Sequence, residues 1–386
     1  MVVRIKSAVI LHALNDCTRC CEFALAYARA CATYLLVPAR DFGYTLITVQ
    51  KKITQVVKMR RIVSILALVI YFVSISSAQS GKKVEIVKPK DYKAPAMTAS
   101  ASLKSLVDEA ASSAMAQFKT LKPEEFAITV IDLRDGKKFD WAEYRGEERI
   151  YPASVVKMFY LAAIERQLED KKVTMTKELE RGLRDMIVDS SNEATQYILD
   201  VLTDTSSGAE LPQKQFEEWQ YKRNRVNRWF TSMGYTNINV NQKTFCEDAY
   251  GIEQQSRNYK GQNRNMITTN ATARVLAEIV TGNLNTPERT AAMMNLLKRD
   301  PFAKTSDPDS QSVGFTGKLL LDRKMTDAKL WSKAGWTSKA RHDAAYVETA
   351  DGLKFVIAVY TENHANEKEI IPTIAGNIIT KLGGKY

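Results

Sequence analysis

Two segments rich in β-forming residues lie far apart in this 386-residue chain, and most of what separates them has a helical period. Residues 126–133 and 138–144 flank the turn Arg134-Asp135-Gly136, which predicts a β-hairpin. Residues 344–348 and 353–360 flank Asp351-Gly352 and predict a second one, with 330–335 as the strand leading into it. A helical stripe at 101–118 precedes the first hairpin, and a closing helix over 366–382 follows the second. Between the hairpins, apolar spacing predicts helices from Ser154 to about Leu168, over 176–201 with an interruption at 189–192, and over 213–233, 268–281 and 287–299. Strands from both ends bury their apolar faces most simply in one sheet. The expected fold class is therefore α+β: an antiparallel sheet formed by N- and C-terminal strands, with an inserted all-helical layer. Residues 235–267 are polar and irregular, a length of loop that compact domains keep mainly for function.

The hydrophobic content of 45% and charged content of 26% are those of a globular chain. The formal charge of +11 does not point to nucleic acid, because the excess is localised. Of the 55 basic and 44 acidic residues, ten and three fall in 1–61 and none in 62–78, leaving 45 and 41 in the body. Four of the five cysteines also lie at the front, so the body, with Cys246 alone, holds no internal disulfide. Cys17-x-x-Cys20 has no second pair at metal-site spacing after it, and no metal or cofactor is expected.

Residues 59–78 have the layout of a secretory signal: Arg60-Arg61, an apolar run from Ile62 to about Val73, then Ser76 and Ala78 at the −3 and −1 places. The run is short for a membrane span, which takes about 20 residues. The expectation is cleavage near Gln79 and a periplasmic or secreted protein; the alternative is an uncleaved anchor. Residues 1–58 are then a mis-called extension ahead of the true start at Met59, or else a cytoplasmic arm. A linker is expected over 79–100, and the working domain over 101–386.

The stretch Tyr151-Pro-Ala-Ser-Val-Val-Lys157 opens an apolar helix and puts Ser154 and Lys157 three residues apart, on one helix face. Ser154 would stand at the positive end of the helix dipole, where a developing oxyanion is favoured. A hydroxyl and an amine so placed can activate a serine without histidine. Two further marks follow in order: Ser190-Ser191-Asn192 between two helices, and Lys333-Ala334-Gly335 at a late strand. Each has a plainer reading as well, since Ser and Asn cap helices and a strand lysine is ordinarily solvated.

The ordered set, over about 101–384, resembles the class A β-lactamases and penicillin-binding proteins, whose marks are Ser-x-x-Lys, Ser-Asp-Asn and Lys-Thr-Gly. The resemblance implies an acyl-enzyme on Ser154, with Lys157 taking its proton. It implies Ser190 as proton relay to the leaving nitrogen, Asn192 on the substrate amide, and Lys333 favouring an anionic substrate. It implies Gly335 and Trp336 as substrate-binding residues, with the backbone N–H groups of Ser154 and Trp336 as the oxyanion hole. Three departures stand out. Ser191 replaces the expected aspartate. Ala334 replaces the expected threonine, with Thr337 or Ser338 as its substitute and Arg341 as the carboxylate-binding arginine. The glutamate that activates the deacylating water has no clear counterpart: family spacing falls near Thr244, and Glu247 and Glu253 are the nearest acids. His342 and Asp343, adjacent on a strand, face opposite ways; His342 reads as structural, or as a base beside the oxyanion strand. The expected function is β-lactam ring hydrolysis, with a peptidoglycan peptidase or a non-hydrolytic cell-envelope binder as alternatives. Expected partners are a β-lactam or a peptidoglycan-like peptide, with no nucleic acid, membrane contact only through the export signal, and a monomeric chain.

Overall fold

The structure is a computed structural model and describes residues 85–136 and 138–383. The stretches read as an extension and an export signal lie outside the described residues. Among the described residues no helix is long and apolar enough to cross a membrane.

The strands are β1 (Met97–Ala99), β2 (Phe126–Asp132), β3 (Phe139–Tyr144), β4 (Lys298–Arg299), β5 (Lys329–Trp336), β6 (Arg341–Glu348) and β7 (Lys354–Thr361). They form one seven-stranded sheet in the order β1-β3-β2-β7-β6-β5-β4. Both expected hairpins form, and the two ends of the body join where β2 runs antiparallel to β7, from Phe126 opposite Thr361 to Asp132 opposite Phe355. The α+β expectation holds. The edge strands β1 and β4 were not legible, because two or three residues are too few to display a period of two.

The helices are α1 (Ala101–Gln117), α2 (Val156–Glu169), α3 (Lys177–Ile187), α4 (Asn192–Thr203), α5 (Gln213–Arg223), α6 (Arg225–Ser232), α7 (Gly251–Arg257), α8 (Thr269–Val280), α9 (Pro287–Leu297), α10 (Phe315–Asp322) and α11 (Ile370–Leu382). One sheet face packs on α1, α10 and α11. There Leu106, Val107 and Ala110 meet the Ile371, Ile374 and Ile378 stripe of α11. The other face carries the inserted helices, with α2 in their midst. α2 is buried on every side, from Val156 to Leu168. A helix buried all round lies inside the core, and this one is the post on which the first motif stands, even though it also buries Lys157, Glu165, Arg166 and Gln167.

The helix expected over 213–233 divides at Asn224 into α5 and α6. The long polar stretch is a built loop. It contains α7, and bridges pair Asn239 with Met266 and Ile150 with Ile267. Asn265 Oδ1 accepts from the backbone N–H groups of Asn241 and Gln242 at 3.0 and 2.9 Å, so side-chain amides satisfy backbone that no sheet reaches. The region expected as a linker docks on the body in its described part. Arg228 Nη2 donates to Glu85 Oε1 at 2.9 Å and the Tyr92 hydroxyl to Glu278 Oε2 at 2.8 Å.

Candidate active site

Ala153–Val155 form one 3-10 turn that runs directly into α2. Ala153 has φ +46°, a left-handed conformation that costs a residue with a Cβ of order 1–3 kcal/mol. Neighbouring contacts hold the turn in place. His342 on β6 meets the Tyr151 carbonyl through Nε2 at 2.9 Å, while its Nδ1 accepts from the Thr361 N–H at 3.1 Å. With Nδ1 accepting, Nε2 carries the proton and the ring is neutral. Burial pushes its pKa down to about 4. His342 is thus a strut between β6 and the serine turn, as its structural reading had it, and both ring nitrogens are engaged. Its neighbour Asp343 faces the other side of the sheet and accepts from the Thr316 N–H at 3.1 Å.

Gly335 brings the sheet to this turn. A Cβ there would lie 2.6 Å from the Ser154 nitrogen and 2.8 Å from that of Val155, so only glycine lets β5 come so close. The Ser154 amide therefore sits beside Gly335, one residue before Trp336, as an oxyanion hole from Ser154 and Trp336 would require. The Ser154 side chain is half-buried, and its hydroxyl has no hydrogen-bond partner among the described residues.

Lys157, in the first turn of α2, is fully buried. Its Nζ donates to the Ser190 carbonyl at 2.5 Å, to Asn192 Oδ1 at 3.0 Å and to Ser190 Oγ at 3.3 Å. Burial pushes its pKa down to about 7, with Glu193 and Cys246 acting in the opposite direction. Ser190 has φ +59°. The helix cap that Ser190 or Asn192 had been weighed for is supplied by Ser191, whose Oγ accepts from the Ala194 N–H at 3.1 Å. Ser191, where the resemblance led to an aspartate, caps α4 as an aspartate also could, and leaves its two neighbours to face Lys157.

Lys333 reaches the same hydroxyl from the sheet. Its Nζ donates to Ser190 Oγ at 3.0 Å, to Gln311 Oε1 at 2.6 Å and to the Ala334 carbonyl at 2.7 Å. Burial lowers its pKa well below the usual lysine range, and the charges of Lys157 and Arg299 lower it further. Ser190 thus stands between two buried amines.

Strand alternation turns Trp336 to the other sheet face, where its half-exposed ring lies 5.7 Å from Phe315. Arg341 is opposite Trp336 in the register and shares that face. Its guanidinium lies 3.8 Å over the Phe315 ring and donates to Asp309 at 2.7 Å, so it is buried and held rather than open to the cleft. The Thr337 hydroxyl accepts from the Lys339 and Ala340 N–H groups at 3.1 and 3.0 Å and closes the β5–β6 turn.

Neither glutamate considered as the deacylating base reaches these groups. Glu253 is buried in a separate cluster, with Arg223 at 2.7 Å, Lys243 at 3.2 Å and Ser207 at 2.9 Å, and its carboxylate is consumed in holding α5, α7 and the loop together. Glu247 is exposed. The loop side chain that does meet the site is Cys246, whose sulfur lies 3.3 Å from Asn192 Nδ2. Among the described residues no Asp or Glu side chain hydrogen-bonds to Lys157, Ser190, Asn192 or Lys333. Sequence reasoning missed Cys246, counted only for disulfides, and Gln311, which belongs to no motif.

A serine in the 3-10 turn that leads into a buried helix, two buried lysines sharing a second serine, and a glycine-permitted strand beside them are the layout of a serine hydrolase of the β-lactamase type. The family model described as "Beta-lactamase enzyme family" matches residues 178–382, more than half of the chain, and the chain belongs to that family. The match starts beyond Ser154 and Lys157. The fold is similar to that of the TLA-1 extended-spectrum β-lactamase, at 16% identity and TM-score 0.52, covering 72% of this chain and 99% of that one. A class A β-lactamase from Bacteroides cellulosilyticus is similar at 14% identity and TM-score 0.51, covering 73% and 99%. PBP-A is similar at 16% identity and TM-score 0.50, covering 75% and 99%. Identities this low show the fold and leave the substrate open. No curated protein matches the sequence.

Proposed function

We propose that the protein opens the amide of a β-lactam on Ser154, outside the cytoplasm, and releases the acyl group slowly. Neutral Lys157 takes the Ser154 hydroxyl proton as Oγ bonds to the carbonyl carbon. The oxyanion rests on the N–H groups of Ser154 and Trp336. As the C–N bond breaks, the proton returns to the leaving nitrogen through Ser190, and Lys333 holds that hydroxyl in place. Asn192 lies beside Lys157 to meet the substrate's amide. Export on residues 59–78 is part of the reading, and a mature N-terminus near Gln79 in N-terminal sequencing is its expected mark.

The observation that supports slow release is Cys246, the loop side chain that, among the described residues, hydrogen-bonds to Asn192. A thiol there does not replace a carboxylate as base for the second water. This also favours the second reading, a penicillin-binding peptidase acting on a peptidoglycan-like peptide. Intact-mass spectrometry during exposure to penicillin and to a chromogenic cephalosporin tests both. The expected result is an adduct that accumulates on the wild-type protein and persists for minutes or longer, and that is absent in Ser154→Ala. Absence of any adduct, with no hydrolysis, overturns the acylation reading. Rapid hydrolysis without accumulation overturns the slow step.

A further inference from the structure

We propose that Gln311 is the positioning residue of this site: one side-chain amide that sets both Lys333 and the Ser190 loop, and so fixes the contact between them. It lies in the irregular segment between β4 and α10, remote in sequence from all three motifs, and it is buried. Its Oε1 accepts from Lys333 Nζ at 2.6 Å and from the Ala334 N–H at 3.1 Å. Its Nε2 donates to the carbonyls of Ile187 and Val188 at 3.1 and 2.9 Å, at the end of α3 and just ahead of Ser190. The four partners also decide which end of the amide is which, since the oxygen faces only donors and the nitrogen only acceptors. No other uncharged side chain of this size offers an acceptor at one end and two hydrogens at the other.

The chemistry gives this arrangement its consequence. Lys333 is surrounded by Lys157 of α2, Arg299 of β4 and, through the sheet, Asp343 of β6. Lys157 in turn feels Glu193 of α4 and Cys246 of the loop. A carboxylate at position 311 would hold Lys333 as ammonium through an ion pair and would add negative charge near Lys157, keeping that amine protonated at higher pH. The neutral amide orients Lys333 without doing so. Gln311 touches no reacting atom, and its effect passes through Lys333 and Ser190.

The kinetic side of this inference rests on the acylation reading, and its structural side does not. Two variants test it. Gln311→Met removes all four hydrogen bonds at similar volume, and Gln311→Glu keeps an acceptor for Lys333 while adding charge. In a crystal structure of Gln311→Met, Lys333 Nζ is expected to leave Ser190 Oγ. If the contact stays within hydrogen-bond distance, the inference is overturned, whether or not the wild type acylates. In stopped-flow acylation of the full chain, Gln311→Met is expected to slow adduct formation at least tenfold at all pH values. Gln311→Glu is expected to move the alkaline-rising limb to higher pH, with its rate recovering there. Profiles for both variants that superimpose on the wild type, with wild-type acylation intact, overturn it as well. A wild type that forms no adduct sinks the acylation reading instead, and the crystal contact then decides the matter.

Discussion

On the proposed reading, burial at Lys157 does what a histidine does in other serine hydrolases: it brings an amine's pKa down to about 7, where it can accept a proton. The sign follows directly. Above about pH 7 the amine is neutral and can accept the Ser154 proton, and below it the ammonium cannot. The acylation rate is expected to rise with pH through a limb near 7. Lys157→Arg should abolish that limb together with the rate, measured as adduct formation against pH. On the proposed reading, Cys246 bears on the other half-reaction. In Cys246→Glu a carboxylate would reach the pair formed by Asn192 and Lys157, and a general base is worth on the order of 10²-fold or more. Adduct decay, followed by mass, should accelerate by at least tenfold while its formation changes little; unchanged decay would remove Cys246 from the explanation of slow release.

The elements matter through two close approaches. β5 meets the serine turn because residue 335 has no side chain, and alternation along the same strand gives Lys333 to the cleft and Trp336 to the far face. Gly335→Ala forces β5 away from the Ser154 nitrogen. Because an oxyanion donor is worth roughly 10²–10³ in rate, acylation should fall by at least about 100-fold. The same clash with the backbone of the serine turn should lower stability by about 1–3 kcal/mol, so a melting curve beside the adduct assay separates lost folding from lost rate. The second approach is that of α4 to α2. Ser191 caps α4, and that cap sets Ser190 and Asn192 against Lys157. A motif that reads as three equivalent positions is one structural residue between two that face the site.

For the molecule as a whole, the sheet closes only when both ends of the domain are in place, and His342 ties that closure to the serine turn. Its neutral ring gives stability a defined pH dependence. Its pKa falls from the ordinary 6.5 to about 4 on folding. Above 6.5 the ring is neutral in both states and the contribution is complete. As pH falls from 6.5 towards 4 the unfolded chain takes a proton that the folded chain refuses, and up to about 3 kcal/mol is lost. Denaturant unfolding of the wild type should therefore weaken more steeply over that window than unfolding of His342→Gln. Parallel slopes for the two proteins would show that the ring titrates alike in both states.

Alternating apolar residues around Asp-Gly turns, and helical stripes between them, were enough to predict one sheet built from both ends, because those periods are local properties of the chain. The order of Ser154, Ser190 and Lys333 likewise pointed to the candidate site, since Ser154 and Ser190 stand at helix boundaries and Lys333 on a strand that the sequence displays. What the sequence left undecided depends on the paths of loops, and a loop has no period. Glu253 looked like a base and is buried against Arg223 and Lys243. Arg341 looked open to a substrate and is held by Asp309 under Trp336. Cys246, weighed only for disulfides, and Gln311, not weighed at all, lie against Asn192 and Lys333. Local spacing determined which groups the elements carry; the tertiary structure decided which meet, because contacts that cross loops, such as the 54 positions from Asn192 to Cys246, are set by packing rather than by period.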